Sequence, residues 1–187
     1  PEGGTVYFKP DQSKYGALKP KQAEMAKDFD ALAQLHSHAP DFTLTAWVVG
    51  LHNSRLGALN PHATTETLFG DKLVNSLCPA QPDARTYLRA LCLDAAAQPG
   101  VSEIAIETPG WQAFRHGHHH EFELVDLPFQ VQIVLGTCFC PQCMKQAQAA
   151  GVDMPGLRAN ARQALDGFFA TGEFRGLDPV GDADWQA

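Results

Sequence analysis

The apolar run from Phe42 to Leu51 constrains the fold more than any other segment of the sequence. A strand that is apolar along its whole length is typical of a parallel sheet, in which both faces of the strand are buried. A second apolar run, Val101–Ile106, has the same character. Between the two, residues 83–97 carry apolar side chains at helical spacing and stop at a Pro-Gly pair. A strand, a helix and a strand in this order predict a right-handed parallel crossover.

Further elements extend this alternating order. Residues 5–8 are predicted to form a strand beside the other two, and residues 21–37 and 157–169 are predicted to form helices on the outer face. Residues 129–135 fit either a strand or a helix. The intervening residues 52–80 are expected to form a long polar loop, and the tail from about residue 171 is expected to be loosely ordered.

The whole chain, residues 1–187, is therefore interpreted as a single α/β domain with a parallel sheet. A doubly wound fold and a (β/α) barrel both fit this order. The long loops follow the carboxyl ends of the strands, where barrel enzymes keep their chemistry, and no Gly-rich phosphate loop follows the first strand. These two observations favour a barrel-like fold of the TIM type.

Charge and cysteine content exclude several partners. The 14 basic and 21 acidic residues give a net charge of −7, which argues against binding a nucleic acid backbone. No apolar stretch approaches the roughly 20 residues that span a bilayer, so no membrane partner is expected.

Five cysteines cannot all form disulfides within one chain, and three of them are crowded together. A reducing, cytoplasmic location is therefore expected.

Polar residues follow the carboxyl ends of two predicted strands. Glu107 ends the strand 101–106, and Trp111 lies shortly after it. A carboxyl group beside an aromatic ring suits a general acid, since an apolar neighbour raises the carboxyl pKa and the ring offers a surface on which a sugar stacks. His52, Asn53 and Arg55 follow the strand 42–51 and are candidate ligand-binding residues. The alternatives to these functional roles are structural: Glu107 forms an ordinary surface salt bridge at the strand end, and His52 packs against its loop.

The tract Arg115–Glu121 contains four histidines and is the most unusual segment of the chain. Imidazole is a common ligand for transition metals, so two or three of these side chains, among them His116, His118 and His120, are candidate metal ligands. A solvent-facing loop that binds no metal is the alternative.

Cys138, Cys140 and Cys143 form a C-x-C-x-x-C motif. A C-x-x-C pair can hold one zinc ion, and the remaining positions of the tetrahedron are assigned to Cys138 or to a histidine such as His118. The sequence therefore predicts a zinc site, whose sulfur atoms must lie within about 5 Å of one another. Cys78 and Cys92 are assigned instead to a loop and to a helix core.

Four segments carry a resemblance to a known family. They are Leu51-His52-Asn53-Ser54-Arg55-Leu56-Gly57, Leu77-Cys78-Pro79-Ala80, Phe114-Arg115-His116-Gly117-His118-His119-His120-Glu121 and Cys138-Phe139-Cys140-Pro141-Gln142-Cys143. Together they resemble a group of uncharacterised bacterial proteins that are described as glycoside hydrolases of the TIM-barrel type. The resemblance covers the chain from about Tyr7 to Phe169.

The resemblance implies a carbohydrate substrate and a general acid/base at Glu107, which matches the end of strand four in such barrels. The residues predicted to bind the substrate are His52, Asn53, Arg55, Trp111, His116 and Glu121. A complete barrel needs roughly 250 residues, so we expect an incomplete barrel that further sequence or a second copy completes. Candidates for a second carboxyl group are Glu121, Glu123 and Asp126.

Two functions outside glycoside hydrolysis also fit these residues. One is a metal-dependent hydrolase that uses the histidines of residues 116–120 and a metal-bound water. The other is a non-catalytic carbohydrate-binding module that zinc stabilises.

Overall fold

Six short strands and seven helices follow one another along residues 4–117, 124–179 and 181, which are the residues that this computed structural model describes. The strands are β1 (Thr5–Val6), β2 (Lys21–Gln22), β3 (Leu44–Val49), β4 (Thr64–Glu66), β5 (Lys72–Leu77) and β6 (Val101–Glu107). The helices are α1 (Ala31–His38), α2 (Ser54–Leu59), α3 (Pro82–Ala96), α4 (Phe114–Gly117), α5 (Phe129–Gly136), α6 (Pro141–Ala149) and α7 (Met154–Thr171). Gln12–Lys14, Glu24–Ala26 and Pro61–Ala63 form single 3₁₀ turns.

Strands β3 and β6 pair in parallel, with Val48 opposite Ile106 and Val49 opposite Glu107, which confirms the predicted parallel pairing. Helix α3, the last element before β6 in the chain, packs on one face of the pair. Val48 points into that interface and is buried, whereas its neighbour Trp47 is 75 % exposed. The apolar composition of this strand predicted burial on both faces. The prediction is wrong for the second face, where the Trp47 and Val49 side chains are exposed.

The remaining strands form two further small sheets. Strand β1 pairs in parallel with β2, so the prediction that residues 5–8 lie directly beside the other strands is wrong. Strands β4 and β5 form an antiparallel hairpin in the segment that was predicted to be a polar loop. The fold is thus mixed α/β with three two-stranded sheets, and the described residues form no closed barrel.

Local capping explains the helix boundaries. Helix α7 begins where the Asp153 carboxylate accepts a hydrogen bond from the Gly156 N–H at 3.1 Å, and it ends at Gly172, whose φ of +77° is left-handed. Helix α1 is much shorter than the predicted 21–37, because Asp30 caps it by accepting from the Ala33 N–H. The ambiguous segment 129–135 is helical. No helix among the described residues is both long and apolar enough to cross a membrane.

Two hydrophobic clusters form the core. The first joins β1, β3 and β5 to α2 and α3, and it includes Leu18, Leu51, Leu77, Tyr87 and Leu91. The second joins α5 and α7 to the hairpin turn, and it includes Leu68, Val131, Val134, Phe139 and Leu165. Described residues after α7 form no further helix or strand. Phe174 and Leu177 of this tail nevertheless pack against the second cluster.

A buried carboxylate fastens the segment before β2 to helix α3. Asp94 is 1 % exposed and accepts hydrogen bonds from the Lys14 ammonium at 3.0 Å, the Tyr15 hydroxyl at 3.0 Å and the Asp11 N–H at 2.9 Å. Burial, together with this hydrogen bond, raises the pKa of Tyr15 above its ordinary range. Three donors on one carboxylate satisfy a charge that would otherwise be costly inside the protein.

We predict that Asp94→Asn lowers the free energy of unfolding by about 2–4 kcal/mol, because it removes the charge that these donors face. The matched control is Asp41→Asn, an exposed position, where the change should stay within about 0.5 kcal/mol. Urea unfolding followed by circular dichroism measures both values. Equal stability of the two variants would contradict the role given to Asp94.

Candidate functional site

Four cysteines converge between the two core clusters. Cys78 directly follows β5, Cys138 and Cys140 lie between α5 and α6, and Cys143 lies in the first turn of α6. Backbone hydrogen bonds hold both cysteine-containing segments against the hairpin. The Cys78 N–H donates to the Ala63 carbonyl at 2.8 Å, and the N–H of Phe139, between Cys138 and Cys140, donates to the Glu66 carbonyl at 2.8 Å. The hairpin β4–β5 therefore positions all three loop cysteines.

The sulfur atoms have the spacing of a metal site. Cys78 Sγ lies 3.5 Å from Cys143 Sγ, 3.7 Å from Cys140 Sγ and 3.9 Å from Cys138 Sγ, and all four atoms lie within 4.8 Å of one another. A tetrahedral zinc with bonds of about 2.3 Å separates its sulfur ligands by about 3.8 Å. These separations are far longer than a disulfide bond, and all four thiols are free. The four cysteines can therefore hold one metal ion.

Helix geometry favours a thiolate at this point, whereas burial opposes it by raising the pKa of each thiol. Cys78 and Cys140 are fully buried, Cys138 is 7 % exposed and Cys143 is half-buried. Cys140 caps α6, and its sulfur accepts from the Cys143 N–H at 3.5 Å. The positive end of the α6 dipole favours negative charge on that sulfur.

The thiols also affect one another's protonation. The hydrogen bond from the Cys138 thiol is the main cause that lowers the pKa of Cys140. Donating in this way raises the pKa of Cys138, and the same contacts raise the pKa of Cys143. The hydrogen bond from Cys138 is also the main cause that lowers the pKa of Cys78. Thiolates so close to one another repel. A divalent cation would remove that repulsion.

Sequence reasoning identified three of the four cysteines. The structure confirms that Cys138, Cys140 and Cys143 are close enough to share a metal, but Cys78 was assigned to a loop and was missed. One available signal was that Cys78 and Cys140 both precede a proline. The expected fourth ligand, His118, lies outside the described residues, as does Glu121. Cys92, on α3, does not belong to the group.

Glu107, His52 and Asn53 meet at the carboxyl ends of the paired strands. The Gly50 N–H donates to the Glu107 carbonyl at 2.8 Å, so the two strand ends lie side by side. The three residues line one cavity of about 630 Å³ together with Tyr7 and Trp47. Glu107 provides the only carboxylate among the described residues of this lining.

Asn53 has a structural role within this cavity wall. Its side-chain oxygen accepts from the Leu56 N–H at 2.9 Å and caps α2, and its amide donates to the Tyr87 hydroxyl at 3.2 Å. Burial raises the pKa of Tyr87 to about 12, so that hydroxyl is neutral and available as an acceptor at neutral pH. Asn53 thus fixes the loop that carries its neighbour His52.

Further polar groups follow β3 and β6 in the chain. His52 Nδ1 is hydrogen-bonded to His116 Nε2 at 3.1 Å, with the two rings nearly perpendicular. Arg55 Nη1 and Thr108 Oγ1 are buried without a hydrogen-bond partner. Thr108 also has a φ of +50°, which is uncommon for a β-branched residue. Unpaired buried groups and a strained residue at one end of a sheet are features of a binding site.

Trp111 lies elsewhere. It is 57 % exposed and lines a second cavity, together with Cys138 and Cys143, rather than the cavity beside Glu107. Trp111 was expected to offer a stacking surface beside the Glu107 carboxylate, but it does not line that cavity. The aromatic residues of the described lining there are Tyr7, Phe8, Trp47 and Tyr87.

Comparisons of this chain with protein-family models, with curated proteins and with solved structures found no match.

We predict that the cluster binds Co²⁺ with the visible absorption of a tetrahedral thiolate complex, and that Cys78→Ser weakens this binding at least tenfold because a hydroxyl is a poor replacement for a thiolate. Cys92→Ser is the matched control, since Cys92 lies outside the cluster. Titration with Co²⁺ under reducing conditions measures both affinities. Retention of wild-type affinity in Cys78→Ser would show that Cys78 is not a ligand.

Proposed function

We propose that the four-cysteine cluster holds a structural zinc ion. The observation that carries this proposal is the set of sulfur separations, 3.5–3.9 Å around Cys78, which matches a tetrahedral thiolate site. Thiolates favour zinc over harder cations such as Mg²⁺ and Ca²⁺. Four protein ligands leave no position open for water or substrate, so the metal has no direct part in catalysis.

The position of the cluster explains what such a metal would do. Cys78 extends from β5, whose last residue belongs to the first hydrophobic cluster, whereas Cys138 and Cys140 flank Phe139 of the second. Polar contacts also lie around the cluster. The Gln81 amide donates to Cys140 Sγ at 3.8 Å, and the Arg85 guanidinium donates to the Ala80 carbonyl at 2.7 Å. A zinc ion bound by these cysteines would link the first and second hydrophobic clusters through its coordinate bonds.

Removal of zinc should therefore destabilise the protein. Zinc at a thousandfold excess over its dissociation constant stabilises the folded state by about 4 kcal/mol. We predict a loss of that size when a chelator is added, measured by urea unfolding in reducing buffer. Cys92→Ser should show the same dependence on zinc as the unsubstituted chain, and Cys78→Ser should show almost none. Unfolding midpoints that do not respond to the chelator would contradict a structural metal.

We further propose that the cavity beside Glu107 binds a carbohydrate. Its position at the carboxyl ends of parallel strands is where α/β proteins place their ligands. The half-buried Glu107 carboxylate and the His52 imidazole suit the hydroxyl groups of a sugar, and the exposed ring of Trp47 provides an apolar face. The cavity volume of about 630 Å³ lies within the range of small-molecule sites.

Glycoside hydrolysis is the reaction that we propose for this site, with Glu107 as general acid/base. Hydrolysis of this kind normally needs a second carboxyl group, about 5–5.5 Å or 6.5–9.5 Å from the first. The described lining contains only Glu107, so the second group must come from outside it. Binding without hydrolysis is the expected behaviour wherever that second group is missing.

The test separates binding from hydrolysis. We predict that Glu107→Gln weakens oligosaccharide binding about tenfold, because it removes a charge-assisted hydrogen bond. The matched control is Glu103→Gln on the same strand, where the carboxylate accepts from the Thr45 hydroxyl and is exposed. A glycan array followed by calorimetry measures binding, and a set of aryl glycosides measures hydrolysis. Any hydrolysis should fall at least a hundredfold in Glu107→Gln.

Binding that is equally strong in Glu107→Gln and in the unsubstituted chain would place the sugar elsewhere. Absence of binding to every glycan on the array would contradict the carbohydrate proposal. The zinc proposal is tested separately and would not be affected.

A further inference from the structure

The second cavity, of about 690 Å³, lies among α4 to α7 and reaches the four-cysteine cluster. Its lining is mainly aromatic and aliphatic, and it includes Cys138 and Cys143. Cys143, Gln146, Ala147 and Ala150 of α6 all border the cavity, and their spacing places them along one face of the helix. That face of α6, with Cys143 on it, is therefore turned towards the cavity.

The cavity connects solvent with one of the four thiols. Trp111 and Phe129 in its lining are 57 % and 66 % exposed, so the cavity is open to solvent. Cys143 is the one member of the cluster that is partly exposed, whereas Cys78 and Cys140 are fully buried and Cys138 is 7 % exposed. A reagent that enters the cavity therefore meets Cys143 first.

Cys78 is the cysteine in position to react with Cys143. Their sulfur atoms are 3.5 Å apart, closer than Cys78 Sγ is to either Cys138 Sγ or Cys140 Sγ. Cys138 Sγ accepts from the Glu66 N–H at 3.5 Å, and Cys140 Sγ accepts from the Cys143 N–H at 3.5 Å. Such donors stabilise negative charge on sulfur and make it a weaker nucleophile. Within the described part of the chain, the sulfur atoms of Cys78 and Cys143 have hydrogen-bonding contacts with other cysteine sulfurs only.

We propose that Cys143 is a modification site at which an organic hydroperoxide in the apolar cavity oxidises the cluster, and that the product is a disulfide with Cys78. The Cys143 thiolate attacks the terminal oxygen of the hydroperoxide, the O–O bond breaks, and the alkoxide takes up a proton and leaves as an alcohol. The Cys78 thiolate then attacks the sulfur of the resulting sulfenic acid, and the S–O bond breaks with loss of hydroxide, which is protonated to water. In sum, two thiolates, one hydroperoxide and two protons give one disulfide, one alcohol and one water.

The disulfide needs only a short movement. The two sulfur atoms must approach from 3.5 Å to about 2.05 Å, which rotation of the side chains supplies. A zinc ion held by the cluster would lose two of its four ligands and leave. The new bond joins the end of β5 to α6, so these segments stay linked after the metal has left. The reaction itself requires only the two thiols, so it does not rest on the zinc proposal.

The lining of the cavity determines which class of hydroperoxide reacts fastest. Phe114, Phe139 and Leu157 are among its apolar residues. Hydrogen peroxide has no apolar surface to bury against them, whereas the aryl or alkyl group of an organic hydroperoxide does. An organic hydroperoxide is therefore concentrated beside Cys143.

The first experiment identifies the bond. The reduced full chain, in zinc-loaded and metal-free forms, is treated with an equimolar amount of cumene hydroperoxide, and its peptides are mapped by mass spectrometry without reduction. We expect a Cys78–Cys143 disulfide in both forms, and release of zinc to a chromogenic chelator from the loaded form. Cys92, partly exposed on α3, is the internal control and should remain a thiol. A Cys140–Cys143 disulfide, or oxidation of Cys143 that stops at a sulfinic acid, would overturn the inference. A chain that bound no zinc would contradict the zinc proposal, and the metal-free form would still decide this one.

The second experiment tests the two residues. Cys78→Ser should leave Cys143 as a sulfenic acid that dimedone captures, and Cys143→Ser should give neither this adduct nor a disulfide. Cys92→Ser is the matched control and should form the disulfide at the rate of the unsubstituted chain. Oxidation of the cluster at an unchanged rate in Cys143→Ser would overturn the role of Cys143. Should a variant fail to fold, the peptide map of the unsubstituted chain decides the question alone.

The third experiment tests the cavity. Relative to their rates with glutathione, we expect cumene hydroperoxide to oxidise Cys143 about tenfold faster than hydrogen peroxide does. Phe129→Ala should lower this ratio about threefold, because it removes apolar surface from the lining. The matched control is Phe169→Ala, at a position on α7 that is 59 % exposed and lies outside the lining, which should leave the ratio unchanged. Equal relative rates for the two hydroperoxides would overturn the assignment of an organic substrate.

Discussion

The contact among four cysteine thiols is the interaction on which the rest of the structure depends most. It joins segments that extend from two separate hydrophobic clusters. Cys78 comes from the end of the hairpin that packs under the first cluster, and the other three surround the start of α6, beside the second. The thiols are free, and all four sulfur atoms lie within 4.8 Å of one another, close enough to share one metal ion.

The parallel pair β3–β6 determines where ligand chemistry is possible. Its strand ends bring Glu107 beside Gly50, and the loop that follows carries His52 into the same cavity. Only one face of the pair is covered, and Trp47 remains 75 % exposed on the other. This open face keeps the cavity accessible and differs from the closed interior of a complete barrel, in which such side chains are packed.

The two cavities differ in the chemistry of their linings. The cavity beside Glu107 contains a carboxylate and an imidazole, and it adjoins loops with unpaired buried groups at Arg55 and Thr108. The cavity among the later helices is lined mainly by aromatic and aliphatic side chains, and Cys138 and Cys143 of the four-cysteine cluster also border it.

The sequence by itself determined the local elements and much of the chemistry: the parallel pairing of residues 44–49 with 101–107, the helices near 83–97 and 157–169, and three close cysteines. Periodicity and short-range spacing encode these features. Only the tertiary structure decided that Cys78 joins the cluster, that residues 64–77 form a hairpin, that β1 pairs with β2, and that Trp111 and Glu107 line different cavities. Each of these depends on contacts between residues distant in sequence or on backbone pairing in polar segments, where the pattern of apolar residues carries no signal.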